Sequence, residues 1–191
     1  FRRVLFRSKE VLKIEETAFH ATVRAQRPKR LPVVLTKSEV RDILQRMSGP
    51  ARLVAGLLYG GGLRLMECLM LRVKDIDFTQ NEIVVRDGKG RKDRRTILPG
   101  ALKDPLQAHL QRVKALHEKD LAACAGRTAL PDAIARKYPN ADTEWGWQWV
   151  FPATSQYVEH ETGVRRRHHL HESVVQKRSE EHTSELQSRG L

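Results

Sequence analysis

Two neighbouring stretches decide the fold: GGGLRLMECLMLRVKDIDF, from Gly60 to Phe78, and VRDGKGRKDRRTILP, from Val85 to Pro99. Three consecutive glycines interrupt an apolar helix, and the spacing after them predicts a second helix over Leu63–Leu71. The β-branched run EIVVR (82–86) and the run RRTIL (94–98) flank a Gly-rich turn. This pattern predicts a β-hairpin with a strongly basic tip.

Helices are predicted before this pair of stretches. Thr36 to Glu39 (TKSE) has the pattern of a capping box, in which the Thr hydroxyl and the Glu carboxylate satisfy free amides at a helix start. The helix should run to about Met47. A Ser-Gly-Pro sequence (48–50) then opens a mostly apolar helix over 51–59.

Helices and a Trp-rich segment are predicted after the hairpin. A long amphipathic helix should cover Leu102–Ala125, and a short one Asp132–Tyr138. The three tryptophans lie in DTEWGWQWVF (142–151) and alternate, so an extended segment would place them on one side. The stretch 162–177 begins as a basic loop and ends in a helix from Glu172. The predicted fold class is α+β, mainly α, with a small hairpin or sheet.

Charge points to a polyanionic partner. The 191 residues carry 35 Lys and Arg against 23 Asp and Glu, a net charge of +12, and such a balance favours nucleic acid binding. No apolar run is long enough for a membrane span, and no secretory signal is recognisable. Cys68 and Cys124 have no disulfide or metal spacing, which favours free thiols in the cytoplasm. The cluster of His168, His169, His171 and Glu172 lacks the HExxH zinc pattern, so we expect neither a metal nor a cofactor.

The two ends have an unusual origin on this interpretation. FRRVLFRS (1–8) and RSEEHTSELQS (178–188) both back-translate into sequence that looks like one sequencing adapter, read from opposite strands. We therefore expect residues 1–8 and 178–191 to be adapter-derived and 9–177 to be biological sequence, cut from a longer gene. The ends contribute +2 between them, so the interior keeps a net charge of +10.

The order of elements and both motifs, G-L-R-x-x-E and G-K-G-x-K, resemble the catalytic domain of tyrosine recombinases. The stretches RPKRLPVVLTKSEV, EWGWQWVFPA and VRRRHHLHESVVQK are similar to integron integrases in particular. The resemblance implies the end of a core-binding domain and a linker over 9–31. It implies a partial catalytic domain over 32–177, with an integron-type insert at about 121–150.

The resemblance also assigns catalytic roles. Recombinases of this family break a DNA phosphodiester by attack of a tyrosine on phosphorus, and cations stabilise the charge that builds on the phosphate oxygens. By resemblance, Arg64 is the first catalytic arginine, Glu67 an accessory acid that orients the site, and Lys89 the general acid for the leaving oxygen. Lys92 remains the alternative to Lys89, because both lysines flank the same turn.

Further residues are expected to contact DNA. Cations of the hairpin suit backbone phosphate contacts, the tryptophans suit stacking on the extrahelical bases of folded single-stranded sites, and the basic lead into the last helix suits a DNA-facing surface. The members of these three groups are Arg86, Arg91, Lys92, Arg94 and Arg95; Trp145, Trp147 and Trp149; and Arg165, Arg166, Arg167 and His168.

The resemblance implies that the family's His-x-x-Arg box and tyrosine nucleophile lie further towards the C-terminus than Lys177, and Tyr59, Tyr138 and Tyr157 lie in other contexts. We therefore expect a parent protein that integrates and excises gene cassettes as a tetramer on DNA, and a fragment that binds DNA without cleaving it. The alternatives are a non-catalytic DNA-binding module or another tyrosine recombinase such as a phage-type integrase. The Trp-rich insert argues against the phage type.

Overall fold

The structure is a computed structural model that describes residues 35–86 and 93–189. The linker prediction over 9–31 and the turn carrying Lys89, Arg91 and Lys92 lie outside the described residues. Residues 35–189 belong to one compact unit. Among its described helices, none is long and apolar enough to cross a membrane.

Two helices open the unit as the sequence predicts. Helix α1 spans Lys37–Arg46 and begins with a capping box. The Thr36 hydroxyl accepts a hydrogen bond from the Glu39 amide at 3.3 Å, and the Thr36 amide donates to the Glu39 carboxylate at 2.7 Å. Helix α2 spans Gly49–Gly61 and ends at Gly62, whose φ of 62° requires the left-handed conformation that glycine adopts freely.

Helix α3 is shorter than predicted. It covers only Leu65–Leu69, because the chain after it turns to pair with the Trp-rich segment. The Val73 amide donates to the Gln148 carbonyl at 3.0 Å, and the Val150 amide donates to the Leu71 carbonyl at 2.9 Å. These long-range bonds replace the local ones that would continue the helix.

The predicted hairpin is confirmed and belongs to a three-stranded antiparallel sheet. Strand β1 is Ile76–Asp77, β2 is Glu82–Val85 and β3 is Arg94–Ile97, in the order β1-β2-β3. The register pairs Glu82 with Ile97 and Val85 with Arg94. The inner face carries Ile83 and Val85, both buried.

Helix α4 spans Gly100–Ala122 and α5 spans Asp132–Lys137. The long helix begins two residues before the predicted start and ends three residues early. Its end is set by the next turn, in which Cys124 has a φ of 55°, a conformation that no helix can include.

The Trp-rich segment is not extended, which corrects the prediction. Trp145–Trp147 form a turn of 3-10 helix, because the Trp147 amide donates to the Glu144 carbonyl and the Gln148 amide to the Trp145 carbonyl, both at 3.1 Å. The alternation therefore does not place the three indoles on one side.

A second hairpin replaces the predicted basic loop. Strands β4 (Pro152–Val158) and β5 (Arg165–His169) pair antiparallel, with a register irregularity after Pro152. Strand β5 was not predicted from the sequence, because its residues are consecutively basic and strands are recognised from alternating apolar residues. Helix α6 begins at Glu172 as predicted and extends to Arg189.

One core joins these elements. Its fully buried members come from α2, α3, the first sheet, α4 and the chain after the tryptophans, and Val175 of α6 closes it. The largest of these side chains are Leu57, Leu69, Ile83, Leu106 and Phe151. This core fixes the turn between α2 and α3 against strand β3, where the candidate site lies.

Candidate nucleic-acid interface

The start of α3 holds a carboxylate shared by two arginines. Glu67 accepts from the Arg64 amide at 2.8 Å and from the Arg64 guanidinium at 2.7 Å. Oε2, the oxygen that accepts from the Arg64 amide, also accepts from the Arg94 guanidinium of β3 at 2.6 Å. The spacing of Arg64 and Glu67 places them at the N-cap and third positions of the helix, where a carboxylate satisfies a free amide.

Strand β3 contacts the glycine turn before Arg64 as well. Arg94 approaches the Gly62 carbonyl at 3.4 Å, and the Thr96 hydroxyl donates to the Gly61 carbonyl at 2.6 Å. Arg94 and Thr96 are two residues apart and therefore lie on one face of the strand. The turn that presents Arg64 is thus held from one side by its own helix and from the other by β3.

Exposure differs among the three charged side chains. Arg64 is 60% exposed, Arg94 37% and Glu67 only 10%. Burial alone would raise the pKa of Glu67, but hydrogen bonds from Arg64 and Arg94 outweigh it and hold the pKa below its ordinary value. The carboxylate therefore stays charged at neutral pH, and the group keeps one net positive charge with Arg64 facing solvent. Such a group suits an anionic ligand.

Arg86 and Arg95, the other arginines in the described part of this hairpin, form separate pairs. The Arg86 guanidinium donates to buried Asp75 at 2.7 Å and lies 3.8 Å from Asp93. Arg95 pairs with Glu82 at 3.0 Å and is 70% exposed, so it stands on the opposite face of β3 from Arg94. Arg86, Arg94 and Arg95 belong to one hairpin in the sequence, and of these three described cations Arg94 is the one that the structure joins to Glu67.

A cleft of about 460 Å³ begins beside Glu67 and ends at the tryptophans. Its lining includes Met66 and Met70, both exposed. Trp147 lies on its far wall with the Lys74 ammonium 2.7 Å from the ring centroid. Burial first, then the charge of Arg86, lowers the pKa of Lys74. The cleft therefore combines an apolar wall with cations at its edge.

Arg72 is a buried cation behind this cleft, which the sequence reading did not single out. Its guanidinium lies 3.9 Å from the Trp149 ring centroid and donates to the carbonyls of Trp147 at 2.6 Å and Ala129 at 2.7 Å. Burial lowers its pKa to about 10, although Asp75 acts in the opposite direction. Its spacing to Asp75 repeats that of Arg64 to Glu67, and this repeat was a signal in the sequence.

Trp149 is 6% exposed, and its indole N–H donates to the Arg167 carbonyl at 3.2 Å. Trp145 is half-buried and packs against the core, with its ring 6.0 Å from His117. Of the three tryptophans, Trp147 alone is both half-buried and free of the main core cluster.

The arginines of β5 face inward more than the sequence suggests. Arg167 donates to Asp120 at 2.8 and 3.0 Å, and both side chains are almost fully buried. Arg166 lies 3.5 Å from Asp142 and 3.1 Å from Glu159. Arg165 and His168 are exposed. The structure does not bring this strand's buried arginines together with Arg64.

Metal chemistry has no support in the described residues. His168 and His169 have ring centroids 4.1 Å apart, but residues 35–86 and 93–189 contain no group of three His, Cys, Asp or Glu side chains that could hold a metal ion. Burial lowers the pKa of His169, and nearby His168 adds to this effect.

The chain is similar to known proteins of one family. The profile of the phage integrase family matches residues 33–187, which includes both hairpins and the Glu67 group. The chain belongs to the phage integrase family. Integrase/recombinase proteins of Escherichia coli and Pseudomonas aeruginosa are each 47% identical to it over 154 residues, or 81% of this chain. Tyrosine recombinase XerA of Thermococcus onnurineus is 44% identical over 87 residues, which cover 44% of this chain and 31% of that protein. The chain spans 46% of the length of the first two phage integrase relatives.

Proposed function

We propose that this chain is the DNA-contacting part of a site-specific recombinase that breaks and rejoins DNA through a tyrosyl-DNA intermediate. The observation that supports it best is the group of Arg64, Glu67 and Arg94. An exposed guanidinium is presented at a helix start by a buried carboxylate, beside a cleft and a basic hairpin. Phosphoryl transfer needs cations of fixed geometry more than it needs other protein chemistry.

Each residue then has a defined role. Arg64 binds the non-bridging oxygens of the scissile phosphate, on which charge builds during attack. Glu67 orients Arg64 rather than touching DNA, since its carboxylate is occupied by three hydrogen bonds. Lys89, or alternatively Lys92, protonates the leaving 5′ oxygen from the turn between β2 and β3. In this proposal the whole protein acts as a tetramer on two DNA duplexes.

The chain itself should bind DNA without cleaving it. None of its three tyrosines, Tyr59, Tyr138 and Tyr157, lines the cleft beside Glu67. Tyr59 lines a different groove on α1 and α2. We therefore expect the nucleophile that attacks a phosphate bound at Arg64 to come from sequence outside this chain. We also propose that the two ends of this chain are adapter-derived.

We further propose that the substrate class is the folded single-stranded site of integron cassettes. The Trp-rich segment supports this, because Trp147 lines the cleft together with the exposed Met66 and Met70. A base displaced from a helix could stack on such an indole, a contact worth about 1–3 kcal/mol. Trp149 is buried against Arg72 and is assigned no base contact.

Fluorescence anisotropy with the 191-residue chain tests both parts of the proposal. Labelled DNA hairpins are compared that differ only in two extrahelical bases. Affinity should fall steeply with salt for both hairpins, since phosphate contacts release counterions. The hairpin with extrahelical bases should bind about 5- to 150-fold more tightly, the factor that one stacked base supplies. Trp147→Ala should remove this preference and leave binding of the fully paired hairpin unchanged.

Cleavage is measured on the same DNA with a nick that traps a covalent intermediate. We expect no protein–DNA adduct with this chain. A 3′-phosphotyrosyl adduct would contradict the proposed absence of the nucleophile. Equal affinity for both hairpins would refute the cassette substrate while leaving the recombinase proposal intact, whereas salt-independent or undetectable binding would refute the proposal as a whole.

A further inference from the structure

Strand β3 carries two adjacent arginines with different surroundings. Arg94 is 37% exposed and its Nη2 atom contacts both the Glu67 carboxylate at 2.6 Å and the Gly62 carbonyl at 3.4 Å. Arg95 is 70% exposed and pairs with Glu82 at the surface. Successive residues of a strand point to opposite faces, so the two side chains differ in place although they are identical in chemistry.

The face of β3 that carries Arg94 forms two hydrogen bonds with the turn before Arg64. Thr96 donates to the Gly61 carbonyl at 2.6 Å, one residue before the carbonyl that Arg94 approaches. Gly62 has a φ of 62°, so this turn has a backbone conformation that few other residues would hold. Strand β3 thus fixes the position from which Arg64 projects.

Charge gives Arg94 a second influence on Arg64. Two guanidiniums share the single Glu67 carboxylate, so the group has a net charge of +1 and Arg64 is only partly neutralised. Without Arg94, one carboxylate would face one guanidinium, and the net charge would be zero. Glu67 would then be free to turn both of its oxygens towards Arg64, since bidentate pairing is the preferred geometry of these groups.

From these contacts we propose that Arg94 is a positioning residue for Arg64 and makes no phosphate contact of its own. It engages Glu67, and Glu67 then holds Arg64 outward with its charge available to DNA. This inference rests on the proposed function in one respect, namely that Arg64 binds a DNA phosphate. It replaces the expectation of a direct phosphate contact by Arg94, whereas such a contact is still proposed for Arg95.

A double-mutant cycle in the 191-residue chain separates the two roles. The variants are Arg64→Ala, Arg94→Ala and the double variant, and Arg95→Ala with its own double variant provides the matched control on the same strand. Dissociation constants for a fully paired DNA duplex are measured over a series of salt concentrations. Each direct phosphate contact adds about 0.9 to the slope of log affinity against log salt.

We expect Arg64→Ala and Arg94→Ala each to weaken binding about tenfold at low salt, and the double variant to be within about twofold of either single one, because both remove the same contact. The salt slope should fall by about 0.9 in all three. Arg95→Ala and Arg64→Ala should instead act independently, so that the affinity loss of their double variant is the product of the two single losses. Arg94→Lys, which keeps the charge and one donor, should restore affinity to within about threefold of the natural chain.

The outcomes are distinguishable. The inference is overturned if the affinity loss of the double variant is the product of the losses in Arg64→Ala and Arg94→Ala and its salt slope falls by about 1.8. Arg94 would then be a direct phosphate contact. If Arg64→Ala changes neither affinity nor slope, the proposed role of Arg64 fails and this inference fails with it. Urea unfolding of every variant checks the fold, and Arg94→Gln replaces the alanine variant in the cycle if that variant does not unfold cooperatively.

Discussion

Two groups of arginines in this molecule pair with carboxylates in opposite ways. At the start of α3, Glu67 is buried and its partner Arg64 is 60% exposed. At the second hairpin, Asp120 on α4 and Arg167 on β5 are both almost fully buried, and their guanidinium and carboxylate form two hydrogen bonds. Both pairs join an arginine to a carboxylate, and they differ in how far the cation is exposed.

The difference in guanidinium exposure suits one group to ligand binding and the other to stabilising the fold. A guanidinium that faces solvent pays little desolvation on folding and keeps donors for a ligand. A guanidinium enclosed with a carboxylate and two backbone carbonyls, as Arg167 is with Asp120, Ala153 and Thr154, uses four of its five N–H donors inside the protein. We therefore propose DNA contact for the first group, whereas the second group attaches β5 to α4.

The largest expected effect comes from breaking the buried pair. Asp120→Ala leaves the Arg167 charge enclosed without its partner and removes the acceptor of the Gln156 amide. Loss of one member of a buried pair costs about 3–5 kcal/mol of unfolding free energy. Urea denaturation followed by circular dichroism measures it.

The matched control is Glu82→Ala, which breaks the exposed pair with Arg95 and should cost less than about 1 kcal/mol. Equal losses in the two variants would show that the buried pair has no special role in stability. The native fraction of Asp120→Ala should keep the DNA affinity of the natural chain.

A smaller effect is expected from acid at the Glu67 group. The pKa of Glu67 in the folded chain lies below its ordinary value of 4.5 because Arg64 and Arg94 stabilise the charged form more than burial disfavours it. Its contribution to stability is therefore complete above pH 4.5 and is lost as pH falls through the folded pKa. Glu67→Gln should cost about 1 kcal/mol at pH 7 and progressively less as pH falls below 4.5.

Urea unfolding of both proteins across this pH range measures the difference. A difference that stays constant with pH would mean that the Glu67 charge does not contribute to folding. Glu39 provides a check, since hydrogen bonds from Thr36 also lower its pKa and both proteins share that effect.

Local patterns made much of the fold predictable. The capping box at Thr36, the break at the three glycines and the hairpin over β2 and β3 depend on neighbouring residues, and all three are confirmed. The pair of Arg64 and Glu67 is a local feature as well, because a spacing of three residues brings the two side chains together at the helix start.

Long-range contacts were not predictable in this way. Strand β5 consists of Arg165, Arg166, Arg167, His168 and His169, so its residues gave no apolar alternation. It becomes a strand because Asp120 and Asp142 neutralise two of its arginines, and these carboxylates lie 47 and 24 positions earlier in the chain. The shortened α3 has the same origin, since residues 71–73 pair with residues 148–150.

The central proposal is that the exposed arginine group contacts DNA and the buried group stabilises the fold. It is tested most directly by comparing Arg64→Ala with Arg167→Ala. Two quantities are measured for each variant: the salt slope of DNA affinity and the unfolding free energy. We predict that Arg64→Ala lowers the slope by about 0.9 and changes stability by less than about 1 kcal/mol. Arg167→Ala should keep the slope in its native fraction and lose about 3–5 kcal/mol. An unchanged slope in Arg64→Ala, or a reduced slope in Arg167→Ala, would contradict the assignment of DNA contact to the exposed group.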